Sequence, residues 1–484
     1  SGGMVNVNKV TGILEALEES EDVQVYEPLV GVYREWEKDH PFDEGVGWGN
    51  EPWSQEEMEL NEALVEEAAE KNEYAIVILA RTAGEDKDNK MLEGAYCLTS
   101  IEEDMLQKVR KSFAKMIVLL NTGNIMDMSF MDQYRPDAVM YVWQGGMIGG
   151  LGTVDVLTGK VCPSGRLSDT IAAQMSDYPA DPYFGGLEQN LYVEDIYVGY
   201  RYFESAAKSK VLYPFGFGLS YTTFSMEADG FSYAENQVSF VMKVTNTGSV
   251  AGKEVVQVYA KAPLGKLGKP ARVLIDFKKT KELMPGECET LTFAIPTSVF
   301  ASYNEVSTAG MPVGWVLEAG EYTIYAGGNV RDVYAVGSFT LDELQIVEEC
   351  RNALAPTTAF KRMKMTAANE HAEAAGVYEI AMEEVPLRVV SPEEKRNAEL
   401  PESCEITGDR GIKLADVKAG KATLDEFVAQ LTEEELASIV RGEGMGSPKE
   451  RQQHSAALRS LFLKRAFRVA AAMMARPACV LTVE

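Results

Sequence analysis

The fold class follows from the stretch AIVILA at residues 75–80, which is apolar throughout and shows no alternation. Two further runs of this kind follow, MIVLL at residues 116–120 and AVMYV at residues 138–142. Continuous apolar strands are typical of sheets whose two faces are both covered. Segments with helical periodicity lie before, between and after these runs, at residues 10–19, 56–71, 100–111 and 149–157. The alternation predicts an α/β sandwich domain over residues 1–222, a mostly parallel sheet with helices on both faces.

The pattern changes near residue 224, where short segments alternate apolar and polar side chains with a period of two. The alternating segments are residues 237–244, 254–259, 289–295 and 321–325. Turn sequences at residues 246–248 (NTG) and 285–286 (PG) separate them. Short strands at regular spacing, divided by turns, predict an all-β sandwich over residues 223–345, with its last strand ending near Leu341.

The residues after the sandwich fall into three parts. Residues 346–415 are acidic with weak periodicity, and we expect a linker that wraps other domains. Residues 423–441 have a helical pattern with Thr423 as the expected cap, within a predicted segment over residues 416–448. Residues 449–484 are basic in an otherwise acidic protein. We interpret them as a tail unrelated to the preceding sequence, and a helical docking element is the alternative.

Charge and composition exclude several classes of function. The formal net charge of −28 and the isoelectric point near 4.7 repel phosphate backbones and anionic lipids, so we expect no nucleic acid and no membrane as partners. A neutral sugar carries no such penalty. Six dispersed cysteines and three histidines favour neither a disulfide framework nor a metal site, so we expect no metal and no cofactor. Because no basic-then-apolar leader is visible, we expect a cytoplasmic location and a trimmed N-terminus at Ser1.

The first candidate site is RTAGEDKDN at residues 81–89, directly after the apolar run that ends at Ala80. Ligands of parallel α/β sheets bind outside the carboxyl ends of the strands, where this segment is predicted to lie. Gly84 permits a tight turn that would present Glu85, which makes Glu85 a candidate catalytic carboxylate. The alternative is a solvated acidic loop, with Asp86 and Asp88 as a weak cation site.

The second candidate is the glycine-rich sequence WQGGMIGG at residues 143–150, which precedes a predicted helix. Glycines in this position can cradle a phosphate group. Because the GxxxxGK[ST] and GxGxxG fingerprints are both missing, we favour close packing between helix and sheet. A nucleotide-dependent enzyme is disfavoured on the same ground.

The third candidate is a dense set of aromatic residues within residues 192–203 and 213–221. Such rings can stack on the C–H faces of sugars. A core that joins two domains has the same composition, and the sequence leaves both interpretations open.

Several segments together resemble glycoside hydrolase family 3. Residues 159–167 (GKVCPSGRL) resemble its GxxxPSGxL segment, residues 197–202 its YVGYRY segment, and residues 213–221 its YPFGxGLSY segment. Its fibronectin type III-like module resembles residues 244–248, 252–259 and 317–322. The resemblance covers roughly residues 1–345 in the family's order. It implies an α/β-sandwich domain followed by a fibronectin type III-like domain.

The family resemblance also implies a catalytic residue. In this family the α/β-sandwich domain supplies the general acid/base glutamate from a loop of the SGEG or AGED type. That pattern falls on residues 83–86 (AGED), so the resemblance implies Glu85 as the acid/base. Neighbouring residues are expected to bind substrate, namely Arg81, Asp86, Asp88 and Asn89.

The second catalytic carboxylate of the family is absent from this sequence. It is an aspartate of a (β/α)8 barrel, in an SDW- or SDG-like segment that residues 176–178 (SDY) do not match. Some members place the barrel last, and residues 431–436 (LTEEEL) resemble its opening helix. We therefore expect residues 416–448 to be the truncated start of a barrel, and both edges of the chain to be those of a fragment.

The resemblance implies an exo-acting, retaining β-glucosidase-like hydrolase of terminal β-D-glucosides, acting on a β-glucoside or a short β-glucan oligosaccharide. The chain is expected to supply the acid/base domain and to be inactive alone, because retaining hydrolysis needs two carboxyl groups. A homodimer or a complementing barrel domain is the expected protein partner. The alternative is a non-catalytic sugar-binding or assembly module left from such an enzyme.

Overall fold

The computed structural model of the chain describes residues 10–46, 50–82, 87–308, 310–398, 406–441 and 479–483. The chain divides into two compact units. The first comprises Ser1–Arg388 together with Ala470–Glu484, and the second comprises Val389–Val469. The first unit holds the α/β domain, the sandwich and a β-hairpin, and the second holds short helices. In the described part of the chain, no helix has both the length and the apolarity to cross a membrane.

The secondary-structure elements are numbered in chain order. The helices are α1 (Ile13–Glu19), α2 (Glu27–Asp39), α3 (Glu62–Lys71), α4 (Ser100–Ser112), α5 (Phe130–Tyr134), α6 (Gly149–Leu157), α7 (Tyr200–Ala206), α8 (Glu370–Ala375), α9 (Pro392–Ala398), α10 (Leu414–Lys418), α11 (Leu424–Ala429) and α12 (Glu433–Arg441). The strands are β1 (Tyr74–Ala80), β2 (Lys115–Asn121), β3 (Ala138–Tyr141), β4 (Ile171–Ala172), β5 (Val211–Tyr213), β6 (Phe224–Ala234), β7 (Gln237–Asn246), β8 (Val255–Lys261), β9 (Val273–Lys279), β10 (Cys288–Pro296), β11 (Ser302–Asn304), β12 (Gly314–Leu317), β13 (Gly320–Gly327), β14 (Val333–Leu341), β15 (Gln345–Glu349), β16 (Lys361–Thr366), β17 (Glu379–Glu384) and β18 (Cys479–Val483).

The α/β domain is built on a sheet with the strand order β18-β1-β2-β3. β1, β2 and β3 run parallel, as the three apolar runs predict, and Tyr74 of β1 lies opposite Lys115 of β2. β18 pairs with the other edge of β1 in the antiparallel direction. All of β1 except Tyr74 is buried, which explains why its sequence shows no alternation.

Helices cover both faces of this sheet. On one face, α3 and α4 contribute Val65 and Met105 to a core that includes Val77 of β1. On the other face, α1 and α6 contribute Leu17 and Val154 to a core that includes the preceding residue of the strand, Ile76. Successive side chains of β1 therefore point into two separate cores, which confirms the predicted α/β sandwich.

The second domain is a β-sandwich of two antiparallel sheets, with the strand orders β10-β7-β6 and β14-β13-β8-β9. Side chains of β7 alternate between the core and the outer face, as their period of two predicts. In the core, Phe240 stacks on Phe293 with 4.9 Å between ring centroids. A smaller sheet, β11-β12-β15, continues the regular structure beyond Leu341 to Glu349. The predicted all-β sandwich is confirmed.

Part of the segment predicted to be a linker has regular structure. β16 and β17 pair as an antiparallel hairpin, and α8 connects them. The backbone N–H of Met365 in β16 donates to the hydroxyl of Tyr197 in the α/β domain at 2.9 Å. The hairpin therefore packs on the α/β domain, and Tyr197 is buried beneath it.

The second unit contains two helices where the sequence predicts one over residues 423–441. Thr423 caps α11 as expected, in a reciprocal capping box with Glu426. The hydroxyl of Thr432 then accepts from the backbone N–H of Glu435 at 3.2 Å and begins α12. A second capping threonine thus divides the predicted helix. Of the predicted basic tail at residues 449–484, only β18 lies within the described residues.

Candidate functional site

The predicted site lies where the three parallel strands end. The residues that follow β1, β2 and β3 are Arg81, Thr122 and Val142. The carboxyl ends of parallel strands lie at one edge of the sheet, which is where α/β proteins bind ligands. Among the sequence-predicted site residues, the structure describes Arg81, Asp88 and Asn89, whereas Glu85 and Asp86 lie outside the described residues.

Arg81 is only 4% exposed, and each of its five guanidinium N–H groups has a partner inside the domain. Two of them donate to the carboxylate of Glu102 at 2.6 and 2.9 Å. The remaining three donate to the carbonyl oxygens of Ala80, Ala95 and Cys97 at 2.8, 2.9 and 3.1 Å. No donor remains for a sugar hydroxyl. The side chain thus fixes the end of β1, and that Arg81 also binds substrate stays a prediction.

Glu102 also takes part in the N-terminal capping of helix α4. One of its carboxylate oxygens accepts from the backbone N–H of Thr99 at 2.8 Å, and the Thr99 hydroxyl accepts from the Glu102 N–H at 3.1 Å. This capping box holds the carboxylate in the orientation that meets Arg81. A second carboxyl group, Glu57, lies buried nearby, and burial together with the Glu102 carboxylate raises its pKa well above the ordinary value of 4.5.

The segment returning from the candidate loop is tied to the residues after β2. The side-chain amide of Asn124 donates to the carbonyl oxygen of Lys87 at 3.1 Å. The amide of Asn89 donates to the carbonyl oxygen of Ile125 at 2.7 Å, and Asp88 between them is exposed. The structure thus brings Asp88 and Asn89 to the carboxyl edge of the sheet. That these residues bind substrate stays a prediction.

The loop after β3 carries a strained aromatic residue. Trp143 has a φ of 51°, a left-handed conformation that is uncommon for a bulky side chain. Its ring stacks on Tyr141, with 4.8 Å between ring centroids. The glycines that follow allow close packing, since a Cβ on Gly145 would lie 2.6 Å from the Cα of Gly149, and one on Gly150 would lie 2.0 Å from the Gly12 carbonyl oxygen. These contacts join the loop to α6 and α6 to the start of α1, and neither reaches the sheet, so the packing of helix on sheet favoured by the sequence stays a prediction.

Trp53 is a residue of this edge that the sequence does not reveal. Its backbone carbonyl accepts from the N–H of Thr82 at 2.8 Å. The ammonium groups of Lys87 and Lys90 lie 5.4 and 5.8 Å from the centre of its ring. A single tryptophan in a segment without periodicity gives no signal, so only the tertiary contacts identify it.

The aromatic segments form the joint between the two domains. Tyr200 stacks on Phe215 at 4.4 Å and lies edge-on to Tyr259 of β8 at 6.2 Å. The Tyr200 hydroxyl accepts from the backbone N–H of Leu274 in β9 at 2.9 Å. Of the two interpretations left open by the sequence, the structure supports the domain-joining core for these rings.

Gln257 of β8 is the polar centre of the same joint, and it is 4% exposed. Its side-chain amide nitrogen donates to the carbonyl oxygens of Gly216 and Gly328 at 3.1 and 2.6 Å. Its amide oxygen accepts from the Tyr259 hydroxyl at 2.6 Å. A Cβ at Gly216, whose φ is 80°, would lie 2.0 Å from that oxygen, so the glycine is required on two grounds.

Two family domains match this chain. Residues 1–221 match the glycosyl hydrolase family 3 C-terminal domain, and residues 254–330 match the fibronectin type III-like domain. A beta-glucosidase of Ruminococcus albus is 51% identical over 449 residues, which are 93% of this chain and 46% of that protein. Beta-glucosidase A of Butyrivibrio fibrisolvens is 34% identical over 499 residues, with 91% of this chain and 59% of that protein covered.

Solved structures give the same relationship. A beta-glucosidase from Paenibacillus barengoltzii has a TM-score of 0.88 at 49% identity, with 93% of this chain and 50% of that chain covered. Beta-glucosidase 3B from Thermotoga neapolitana, solved with α-D-glucose, has a TM-score of 0.62 at 34% identity, covering 70% of this chain and 47% of that one. This chain spans about half the length of the relatives that it matches. It belongs to glycosyl hydrolase family 3, of which it carries the C-terminal α/β domain followed by the fibronectin type III-like domain.

Proposed function

We propose that this chain supplies the acid/base half of a retaining β-glucosidase, with Glu85 as the residue that protonates the leaving group. The observation that carries the proposal is that β1 ends at Ala80, at the carboxyl edge of the sheet, three residues before the AGED sequence begins in the part of the chain that matches the family 3 domain. The similar proteins named beta-glucosidase support the substrate class. The proposed substrates are terminal β-D-glucosides and short β-glucan oligosaccharides.

Retaining hydrolysis needs two carboxyl groups about 5–5.5 Å apart. One attacks the anomeric carbon while the other gives its proton to the departing oxygen, which yields a glycosyl-enzyme. The second group, then ionised, takes a proton from the water that releases the sugar. We assign the proton-transfer role to Glu85, and we propose that a barrel domain supplies the attacking aspartate, so that this chain alone does not turn over substrate.

The first test is hydrolysis of 4-nitrophenyl β-glucoside by the chain alone, by a family 3 barrel domain alone, and by a protein that carries both. We expect turnover only when both are present. Within that protein, Glu85→Gln should lose about 10²-fold or more of kcat/KM, as is usual for removal of a general acid. The exposed Glu73 of the same domain provides the matched control, and Glu73→Gln should leave kcat/KM unchanged.

The two steps provide a sharper test of the role of Glu85. A 2,4-dinitrophenyl leaving group departs without protonation, so Glu85→Ala should still form the glycosyl-enzyme and then stall, because no base activates water. Added azide should restore turnover and yield β-glucosyl azide. Full activity of the Glu85→Gln variant, or failure of azide to accelerate Glu85→Ala, would overturn the assignment. Binding of cellobiose without turnover by the protein that carries both domains would instead favour the sugar-binding module.

A further inference from the structure

The segment Glu51–Trp53 contacts both ends of the loop that carries Glu85. We propose that this segment is a brace for the loop, and that Trp53 and Lys87 are positioning residues for proton transfer by Glu85. The inference rests on the proposed function of Glu85, and it adds to that function two residues that touch neither substrate nor reacting atoms.

The entry to the loop is fixed by backbone contacts. The N–H of Arg81 donates to the carbonyl oxygen of Asn121 at 3.1 Å, which continues the pairing of β1 with β2. One residue later the chain changes partner, and the N–H of Thr82 donates to the carbonyl oxygen of Trp53 at 2.8 Å. Where the loop begins, the backbone therefore hydrogen-bonds to the brace and no longer to β2.

The exit from the loop is fixed by a side chain. The ammonium group of Lys87 donates to the carbonyl oxygen of Glu51 and lies over the ring of Trp53, 5.4 Å from its centre. The amide of Asn124 holds the Lys87 carbonyl oxygen from the side of β2 at 3.1 Å. Lys87 is thus held at its backbone carbonyl by Asn124 and at its ammonium group by the brace.

The two anchors are close to each other along the chain. Glu51 and Trp53 are two residues apart, so their α-carbons are at most about 7 Å apart. Thr82 and Lys87 are each held against this short segment, and Glu85 lies between them in the sequence. Both ends of the loop that carries Glu85 are therefore held by the same short segment. A displacement of about 1 Å at a reacting group is enough to cost about 10²-fold in rate.

A positioning role predicts a dependence on the leaving group that a loss of folding does not. Protonation by Glu85 matters for a poor leaving group such as phenol and is unnecessary for 2,4-dinitrophenolate. In the form of the protein that hydrolyses aryl β-glucosides, Lys87→Met should lower kcat/KM for phenyl β-glucoside by about tenfold or more, within the range spanned by general acid catalysis. The same variant should change kcat/KM for the dinitrophenyl substrate by less than about twofold.

Matched variants complete this experiment. Lys90→Met removes the neighbouring ammonium group over the same ring, 5.8 Å from its centre, and should have little effect on either substrate because Glu51 is bound by Lys87. Trp53→Leu should reproduce the selective loss of Lys87→Met, and Trp53→Phe should recover part of it. If Glu85→Gln shows no selectivity for poor leaving groups, the proposed function fails. If Glu85→Gln shows it and Lys87→Met does not, only the brace fails.

Hydrogen exchange on the isolated chain tests the brace without any turnover. We expect Trp53→Leu to accelerate exchange of the Thr82 amide, and Lys87→Met to accelerate exchange of the amides of residues 87–92, with an unchanged unfolding midpoint. Trp53→Phe should restore protection at Thr82. Unchanged exchange at these amides in both Trp53→Leu and Lys87→Met would overturn the brace.

Discussion

Arg81 and Glu102 form a bidentate ion pair at the carboxyl end of β1, with nitrogen–oxygen distances of 2.6 and 2.9 Å. Both side chains are at least nine-tenths buried, so each charge depends on the other for compensation. We expect Arg81→Met or Glu102→Gln to lower the free energy of unfolding by about 3–5 kcal/mol, the usual cost of removing one partner of a buried pair. Urea denaturation measures this loss. Exposed Glu103 of the same helix is the control, and a loss in Glu103→Gln as large as that in Glu102→Gln would contradict the prediction.

The buried carboxyl of Glu57 should make stability fall as the pH rises. Burial, with a contribution from Glu102, raises its pKa well above 4.5 in the folded protein, so the folded state keeps a proton that the unfolded chain releases. Its contribution to stability is complete below pH 4.5 and is lost as the pH rises toward the folded pKa, with a slope of up to about 1.4 kcal/mol per pH unit. Glu57→Gln keeps the neutral shape and should remove this slope. Unfolding free energies measured from about pH 5 to 8 test it, with the exposed Glu59→Gln as control. Equal slopes in Glu57→Gln and the unmodified chain would refute it.

Gln257 should couple the unfolding of the α/β domain to that of the sandwich. Gln257→Leu leaves the carbonyl oxygens of Gly216 and Gly328 and the Tyr259 hydroxyl without their partner. Because each unsatisfied buried group costs about 1–3 kcal/mol, we expect a loss of about 3 kcal/mol or more and two separate calorimetric transitions. Gln237→Leu, at an exposed position of β7, is the comparison. A single transition with an unchanged midpoint would show that the joint does not couple the domains.

Arg362 of β16 holds three carboxylates, those of Asp195, Glu305 and Glu383, which come from the α/β domain, the sandwich and β17. Arg362→Met removes the cation that these three carboxylates share, and of the three Glu383 also has an ion pair with Lys364, at 2.9 Å. We expect the hairpin to become susceptible to limited proteolysis at about pH 7 and to regain resistance near pH 4, where carboxylates take up protons. Lys361→Met removes the adjacent, exposed cation of the same strand and should change little. Equal cleavage of the two variants would contradict this role of Arg362.

The sequence predicts those parts of the molecule whose local pattern is imposed by burial. The apolar run at residues 75–80 is recognisable because β1 is covered on both faces, and Thr423 is recognisable because its capping partner is only three residues away. Arg81 shows what the local sequence pattern does not predict. Its sequence position indicates the candidate edge of the sheet, but its partner Glu102 lies 21 residues further along the chain, and only the fold brings the two together.

The hairpin β16–β17 shows a second limit. It lies within the acidic, weakly periodic stretch at residues 346–415, so local propensity does not distinguish it from a linker. Their pairing is stabilised by contacts such as those of Arg362 and of Met365 with Tyr197, which join positions far apart in the sequence. Trp53 escaped sequence reasoning for the same reason.

The joint at Gln257 determines where this sequence can be joined to that of another family member in a working chimaera. The two domains look separable along the chain, yet Gln257 and Tyr259 of the sandwich contact residues between Tyr200 and Phe217, which precede the sandwich in the sequence. A chimaera joined at the apparent boundary near residue 223 would take one side of this joint from each parent. A crossover before Tyr197 takes both sides of the joint from the same parent. Functional hybrids between family members should therefore be found mostly with crossovers before Tyr197.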